Sequence, residues 1–190
     1  MNTADYQLVG PAAPLTRVAQ AWTSARTGAR AVWLAAGVVV MIVAAGSAEP
    51  VSTIVTGWCL LAAAMVDVRE LRLPNELLLT VGVAAMLGAL AVGRVSSALA
   101  GGAIAAGLLM WVRVQRGLGM GDVKMGAVIG ASVGASVDAH GVLAAPLAIA
   151  VAALVAATWG LARRRHRLPL GPALWIGWAV ALLLPEGWWR

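Results

Sequence analysis

The chain has 190 residues, 61% of them hydrophobic and only 12% charged, with a formal charge of +6 and one cysteine. So little polar surface cannot cover a soluble globule, and a lone Cys59 rules out an internal disulfide or a Cys-rich metal module. A basic surplus fits either nucleic acid or the cytoplasmic loops of a membrane protein, and the placement of the arginines favours the loops.

Residues 1–30, with Gly10, Pro11, Pro14 and Gly28 among scattered polar groups, read as a flexible cytoplasmic tail. Arg26 and Arg30 ahead of an apolar run that ends in Ala44-Ala45-Gly46 also resemble a signal peptide, but the tail before them is long for one. Seven apolar segments follow, at residues 31–48, 50–66, 76–93, 95–112, 122–137, 141–162 and 172–187. The expected fold is an all-α polytopic membrane bundle of about seven transmembrane helices, forming one membrane-embedded domain over residues 31–190. Several segments fall short of the roughly 20 residues of a full span, so tilt or bilayer thinning must supply the rest.

Basic residues alternate between the loops. Arg17, Arg26 and Arg30 precede the first segment, Arg69 and Arg72 follow the second, Arg113, Arg116 and Lys124 flank the fourth and fifth, and Arg163, Arg164, Arg165 and Arg167 follow the sixth. The alternate loops hold only Arg94 and Arg190. By the positive-inside rule the N-terminus is cytoplasmic, the C-terminus is outside with Trp188 and Trp189 in the outer aromatic belt, and both Asp67 and Asp122 lie at the cytoplasmic face.

Those two aspartates are the informative residues. Each sits at the edge of an apolar stretch, where a carboxylate is expensive and usually functional. Two like charges a few ångströms apart in a poorly solvated site cannot both ionise easily, so the pair shares a proton near neutrality. The ionised member can then take a proton from water while its protonated neighbour polarises a scissile carbonyl, the two roles that peptide hydrolysis needs. Gly119 and Gly121, just before Asp122, leave room for substrate backbone to approach. Gly126, Gly130 and Gly134 then recur every fourth residue behind Asp122, a groove into which another helix can pack. Ala64, Ala63 and Cys59 form a similar small face behind Asp67, so these two helices are expected to pack on each other and bring the carboxylates together.

Asp67 with Leu73-Pro74-Asn75, the run Gly119-Met120-Gly121-Asp122-Val123-Lys124, and Leu168-Pro169-Leu170-Gly171-Pro172 together resemble the type IV prepilin peptidase family of membrane aspartyl proteases. The motifs stand in that family's order, and the likeness extends over about residues 31–190. The resemblance implies that Asp67 and Asp122 are catalytic. It also implies that the substrate is a prepilin or pilin-like protein of a type IV pilus or type II secretion system, cut at the cytoplasmic face just before its hydrophobic segment. No cofactor is implied. The long members of the family carry a cytoplasmic domain with Cys-x-x-Cys pairs that methylates the new N-terminus. A chain with one cysteine resembles the short form instead, and methyltransferase activity is not expected. Leu73 and Leu170 stand where isoleucine and phenylalanine are frequent, and both keep the position apolar.

Other residues are secondary. Lys124 either meets a carboxylate or substrate or anchors the topology. Pro74 and Asn75 are read as a helix start that shapes a loop, and Gly171 and Pro172 as a turn opening the last helix beside the site. The run from Arg163 to Arg167 is a cytoplasmic anchor that meets anionic lipid. His140 and His166 are not paired for a metal, and Glu70, Glu76 and Asp138 read as solvated loop acids. The expected partners are the substrate and the lipid bilayer, with no nucleic acid. A small proton-coupled transporter, or an inactive assembly subunit of a pilus machine, would also carry buried acids; neither calls for the three motifs together.

Overall fold

The computed structural model describes residues 14–23, 25, 27–116, 118–137, 141–163 and 169–184, and these form an all-α bundle. In chain order the helices are α1 (Pro14–Thr23), α2 (Thr27–Ala45), α3 (Pro50–Glu70), α4 (Asn75–Ala91), α5 (Val95–Arg116), α6 (Met120–Ser136), α7 (Gly141–Arg163) and α8 (Gly171–Leu183). Helices α2 to α8 coincide with the seven apolar segments to within a few residues. Expectations placed on Arg26, Asp138, His140, Arg164, Arg165, His166, Arg167, Leu168, Trp188, Trp189 and Arg190 lie outside the described residues.

Small residues line many of the helix contacts of the interior, around larger side chains such as Leu60, Met125, Ile129 and Trp178. Ala63, Ala64, Ala85, Ala89, Ala98 and Ala105 are buried, whereas Leu34, Leu79, Leu87, Val114, Leu154 and Leu161 point outward. In lipid, large apolar side chains gain nothing by hiding, so helices associate through small residues that let backbones close up. Four of the described helices, α2, α3, α5 and α7, contain stretches long and apolar enough to cross a membrane; α4 and α8 are apolar but shorter. At 1.5 Å per residue the 17 residues of α4 reach only about 26 Å, short of the roughly 30 Å of a hydrocarbon core.

Helix α8 ties the centre together. Trp178 is fully buried and donates its indole N–H to Ser132 Oγ of α6 at 3.2 Å. Trp175 donates to the Gly57 carbonyl of α3 at 3.3 Å. Gly57 must lack a side chain, because a Cβ there would lie 2.6 Å from Val40 Cγ1 and 2.8 Å from the Trp178 ring. These contacts fix α8 between α3 and α6, and place its first residue at the end of the bundle where α3 finishes and α6 begins.

The segment read as a flexible tail is partly helical. Pro14 can open a helix because it has no N–H to leave unsatisfied, and α1 carries a strong apolar face on which Ala21 is buried. It packs against the end of α3, where Arg17 pairs with Glu70 at 3.8 Å and Arg69 donates to the Gln20 carbonyl at 3.3 Å. Arg30 caps its last turn by donating to the Trp22 carbonyl at 3.2 Å. Thus α1 crosses the head of the bundle rather than leaving it.

Candidate active site

One end of the bundle gathers the C-terminus of α3 and the N-termini of α4, α6 and α8. Asp67 lies in the last turn of α3 and is 5% exposed. Four residues later Leu71 ends the helix in a left-handed conformation, φ 51°, its N–H donating to the Asp67 carbonyl at 3.0 Å. Among the described residues no other non-glycine has positive φ. A leucine there costs on the order of 1 kcal/mol, and in return the chain turns sharply enough to bring Leu73 back over the site. Pro74 then caps α4, and Asn75 is its first residue.

Asp122 sits in the first turn of α6, three residues past the cap residue Gly119. Its carboxyl reaches back to the Gly119 backbone N–H, the return arm of a capping box. This explains one glycine of the motif: a Cβ on Gly119 would lie 3.0 Å from Asp122 Oδ2. Gly121 has a different reason. A Cβ there would come within 3.3 Å of Leu73 Cβ, so its bareness lets the α3–α4 turn lie against the start of α6. Arg113 steadies the approach to this corner by donating to the Leu118 carbonyl at 3.3 Å.

Asp67 is held from the other side. The Gly171 N–H, at the start of α8, donates to Asp67 Oδ2 at 2.7 Å in a buried bond. A Cβ on Gly171 would sit 3.0 Å from that oxygen and 3.1 Å from Ala64 Cα, so only glycine lets the helix start come this close. Pro172 is second in α8 and costs no hydrogen bond there. Each carboxyl therefore accepts a backbone N–H at the N-terminus of a helix, where the dipole favours negative charge, and the two lie within electrostatic reach of each other.

The route by which the acids meet differs from the expected one. Helices α3 and α6 share little direct contact; α4 and α8 each pack against both. The glycine face of α6 is turned to α5 instead. A Cβ on Gly130 would strike the Gly101 carbonyl and come within 2.7 Å of Ala105 Cβ, one on Gly134 would strike the Ser97 carbonyl, and one on Gly126 the Leu109 side chain. The physical reason is complementarity: α5 has its own four-residue stripe, Ser97, Gly101 and Ala105, which accepts α6 more closely than the Ala63 and Ala64 face of α3 can. On α3 the start of α8 lies against Ala64 instead.

Of the remaining residues, Lys124 is exposed and donates to Asn75 Oδ1 at 3.0 Å, joining the first turns of α4 and α6 beside the acids. Glu70 faces Arg17 and Glu76 is exposed, so neither joins the pair. Among the described residues no group of His, Cys, Asp and Glu is arranged to hold a metal. What sequence reasoning missed are the α5 stripe, visible as a spacing, and the role of the Gly171 N–H: the glycine is expected as a turn beside the site, but not as the donor that holds Asp67.

A bundle of apolar helices with two neighbouring acids at one end defines a multi-pass membrane protein. A family model described as the type IV leader peptidase family matches residues 54–161, more than half of the chain, and the chain belongs to that family. The match contains both aspartates and ends before Gly171. No curated protein and no solved structure gives a match.

Proposed function

We propose that this protein is an aspartic endopeptidase that removes the basic leader of prepilins or pilin-like proteins at the cytoplasmic face of the inner membrane. One observation carries the reading: Asp67 and Asp122, from different helices, lie within electrostatic reach of each other at one end of the bundle, each with a backbone N–H to stabilise its charge. One carboxylate takes a proton from water as the water oxygen attacks the scissile carbonyl carbon, and the other, protonated, donates to the carbonyl oxygen. Collapse of the tetrahedral species breaks the C–N bond, and a carboxyl returns a proton to the leaving amine. Gly119, Gly121 and Gly171 let Asp122, Leu73 and Asp67 close up on the helix starts, which supports a rigidly held pair of acids.

The cytoplasmic assignment is supported by Arg17, Arg30, Arg69, Arg72, Arg113 and Lys124, which belong to this end of the bundle, whereas Arg94 belongs to the α4–α5 turn at the other. The test is cleavage of a candidate precursor by the purified protein in lipid nanodiscs, with the products sized by mass spectrometry. Release of the intact leader is expected from wild type and from neither Asp67→Asn nor Asp122→Asn. A wild-type protein inert towards every pilin-like precursor of its own genome would refute the reading.

A further inference from the structure

Asp67 and Asp122 stand on helices that hardly touch, α3 and α6, so their spacing is set by what joins those helices. On one side the join is α8. Its first residue holds Asp67, but its bond to α6, from Trp178 to Ser132, falls about 15 Å further along α6 than Asp122 at 1.5 Å per residue. On the other side the join is the α3–α4 turn, and this grips α6 on either side of Asp122. Leu73 lies on Gly121, just before the acid, and Asn75 Oδ1 accepts from Lys124 Nζ, just after it, at 3.0 Å. We propose that the Lys124–Asn75 hydrogen bond is a positioning latch, which fixes the rotation of the first turn of α6 and thereby the separation of the two carboxyls; the proposal rests on the peptidase reading above.

Neither side chain takes its simplest role. Asparagine is favoured at helix starts because its amide oxygen bonds the helix's own first N–H groups; Asn75, the first residue of α4, presents that oxygen to α6 instead. A lysine that only anchors topology extends its ammonium to water, whereas Lys124, though exposed, sets its ammonium on a neutral acceptor of the neighbouring helix. The placement suits control of rotation. At about 100° per residue Lys124 leaves α6 roughly opposite Asp122 and about 60° from Gly121, so both contacts of the turn act on one flank while the acid projects from the other. Apolar contact between Leu73 and Gly121 limits approach but has no direction; the hydrogen bond has one. A carboxyl about 6 Å from the axis moves about 1 Å for every 10° that its helix turns, and a misplacement of about 1 Å can cost on the order of 100-fold in rate.

The test uses full-length protein in nanodiscs and a pilin-like precursor that wild type cleaves. Lys124→Met and Asn75→Leu each remove one partner at similar bulk. Each should lower kcat about tenfold while KM changes by less than about twofold, as expected when reacting groups are misplaced and binding is not. The double variant should be no slower than the slower single one, because both changes remove the same bond. Lys124→Arg, which keeps a charged donor of similar reach, should stay within about threefold of wild-type kcat. A raised KM with intact kcat in Lys124→Met, beside a silent Asn75→Leu, would assign Lys124 to the substrate and overturn the latch. Losses that multiply in the double variant, or wild-type kcat in both single ones, would overturn it too, and each of these outcomes leaves the peptidase intact. Absence of cleavage of any precursor by wild type would remove both readings. If Asn75→Leu does not insert, Lys124→Met and Lys124→Arg decide between them: a kcat loss in the first that the second restores upholds the latch, and equal losses sink it.

Discussion

Gly171→Ala is the sharpest probe of how the site is held. The new Cβ would be placed 3.0 Å from Asp67 Oδ2 and 3.1 Å from both Ala64 Cα and Asp67 Cβ. Two of those three are a backbone atom and a short, fixed stem, so the start of α8 must retreat by several tenths of an ångström. The 2.7 Å bond from the Gly171 N–H to Asp67 lengthens accordingly. A hydrogen bond to a charged group contributes about 1.5–3 kcal/mol, and a misplacement of about 1 Å can cost on the order of 100-fold in rate. Under the two-carboxylate mechanism kcat for precursor cleavage should therefore fall roughly 10- to 150-fold, at 1.4 kcal/mol per tenfold. Thermal unfolding should shift by only a few degrees, since Trp175 and Trp178 still anchor α8. Pro172→Ala, which adds no atom near Asp67, serves as the control and should cost less than about threefold. Wild-type kcat in Gly171→Ala would show that the N–H at α8 does not hold the carboxylate that matters.

Asp67→Asn and Asp122→Asn should each abolish cleavage while inserting normally, because an amide keeps the shape but cannot exchange the proton; Glu70→Gln and Glu76→Gln should retain most activity, and a reversal in a nanodisc cleavage assay would reassign the acids. With Cys59 replaced by Ala, a cysteine at position 72 should react with an impermeant thiol reagent only in inverted vesicles and one at position 96 only in right-side-out cells; the opposite pattern would invert the proposed orientation. A cysteine pair at 102 and 131 should oxidise to a disulfide readily, since a Cβ on Gly102 lies 3.4 Å from Ala131 Cβ, near the 3.5–4.5 Å such bonds need, whereas a pair at 63 and 126 should not; crosslinking of the second pair would restore the direct packing of α3 on α6.

The helices were legible because a span in lipid must be long, apolar and internally hydrogen-bonded, and each of those demands is written locally in the sequence. The acids were legible for the converse reason: a carboxylate at the edge of such a span stands out against its neighbours. Which helices touch was not legible from the aspartates outward. Gly126, Gly130 and Gly134 correctly mark a close contact but do not name the partner, and reasoning from the two acids selected α3. The stripe Ser97, Gly101 and Ala105 carried the missing half, since two small faces with the same period can interlock backbone to backbone, as Gly130 and Gly101 do. The site itself then depends on what neither stripe describes: a left-handed Leu71 that turns Leu73 onto Gly121, and a glycine 104 residues beyond Asp67 that places its N–H on the carboxylate. Both are end-of-helix features, set by backbone angles and by the absence of a side chain. A bare Gly171 is therefore ambiguous in sequence until the fold supplies the atom it must avoid.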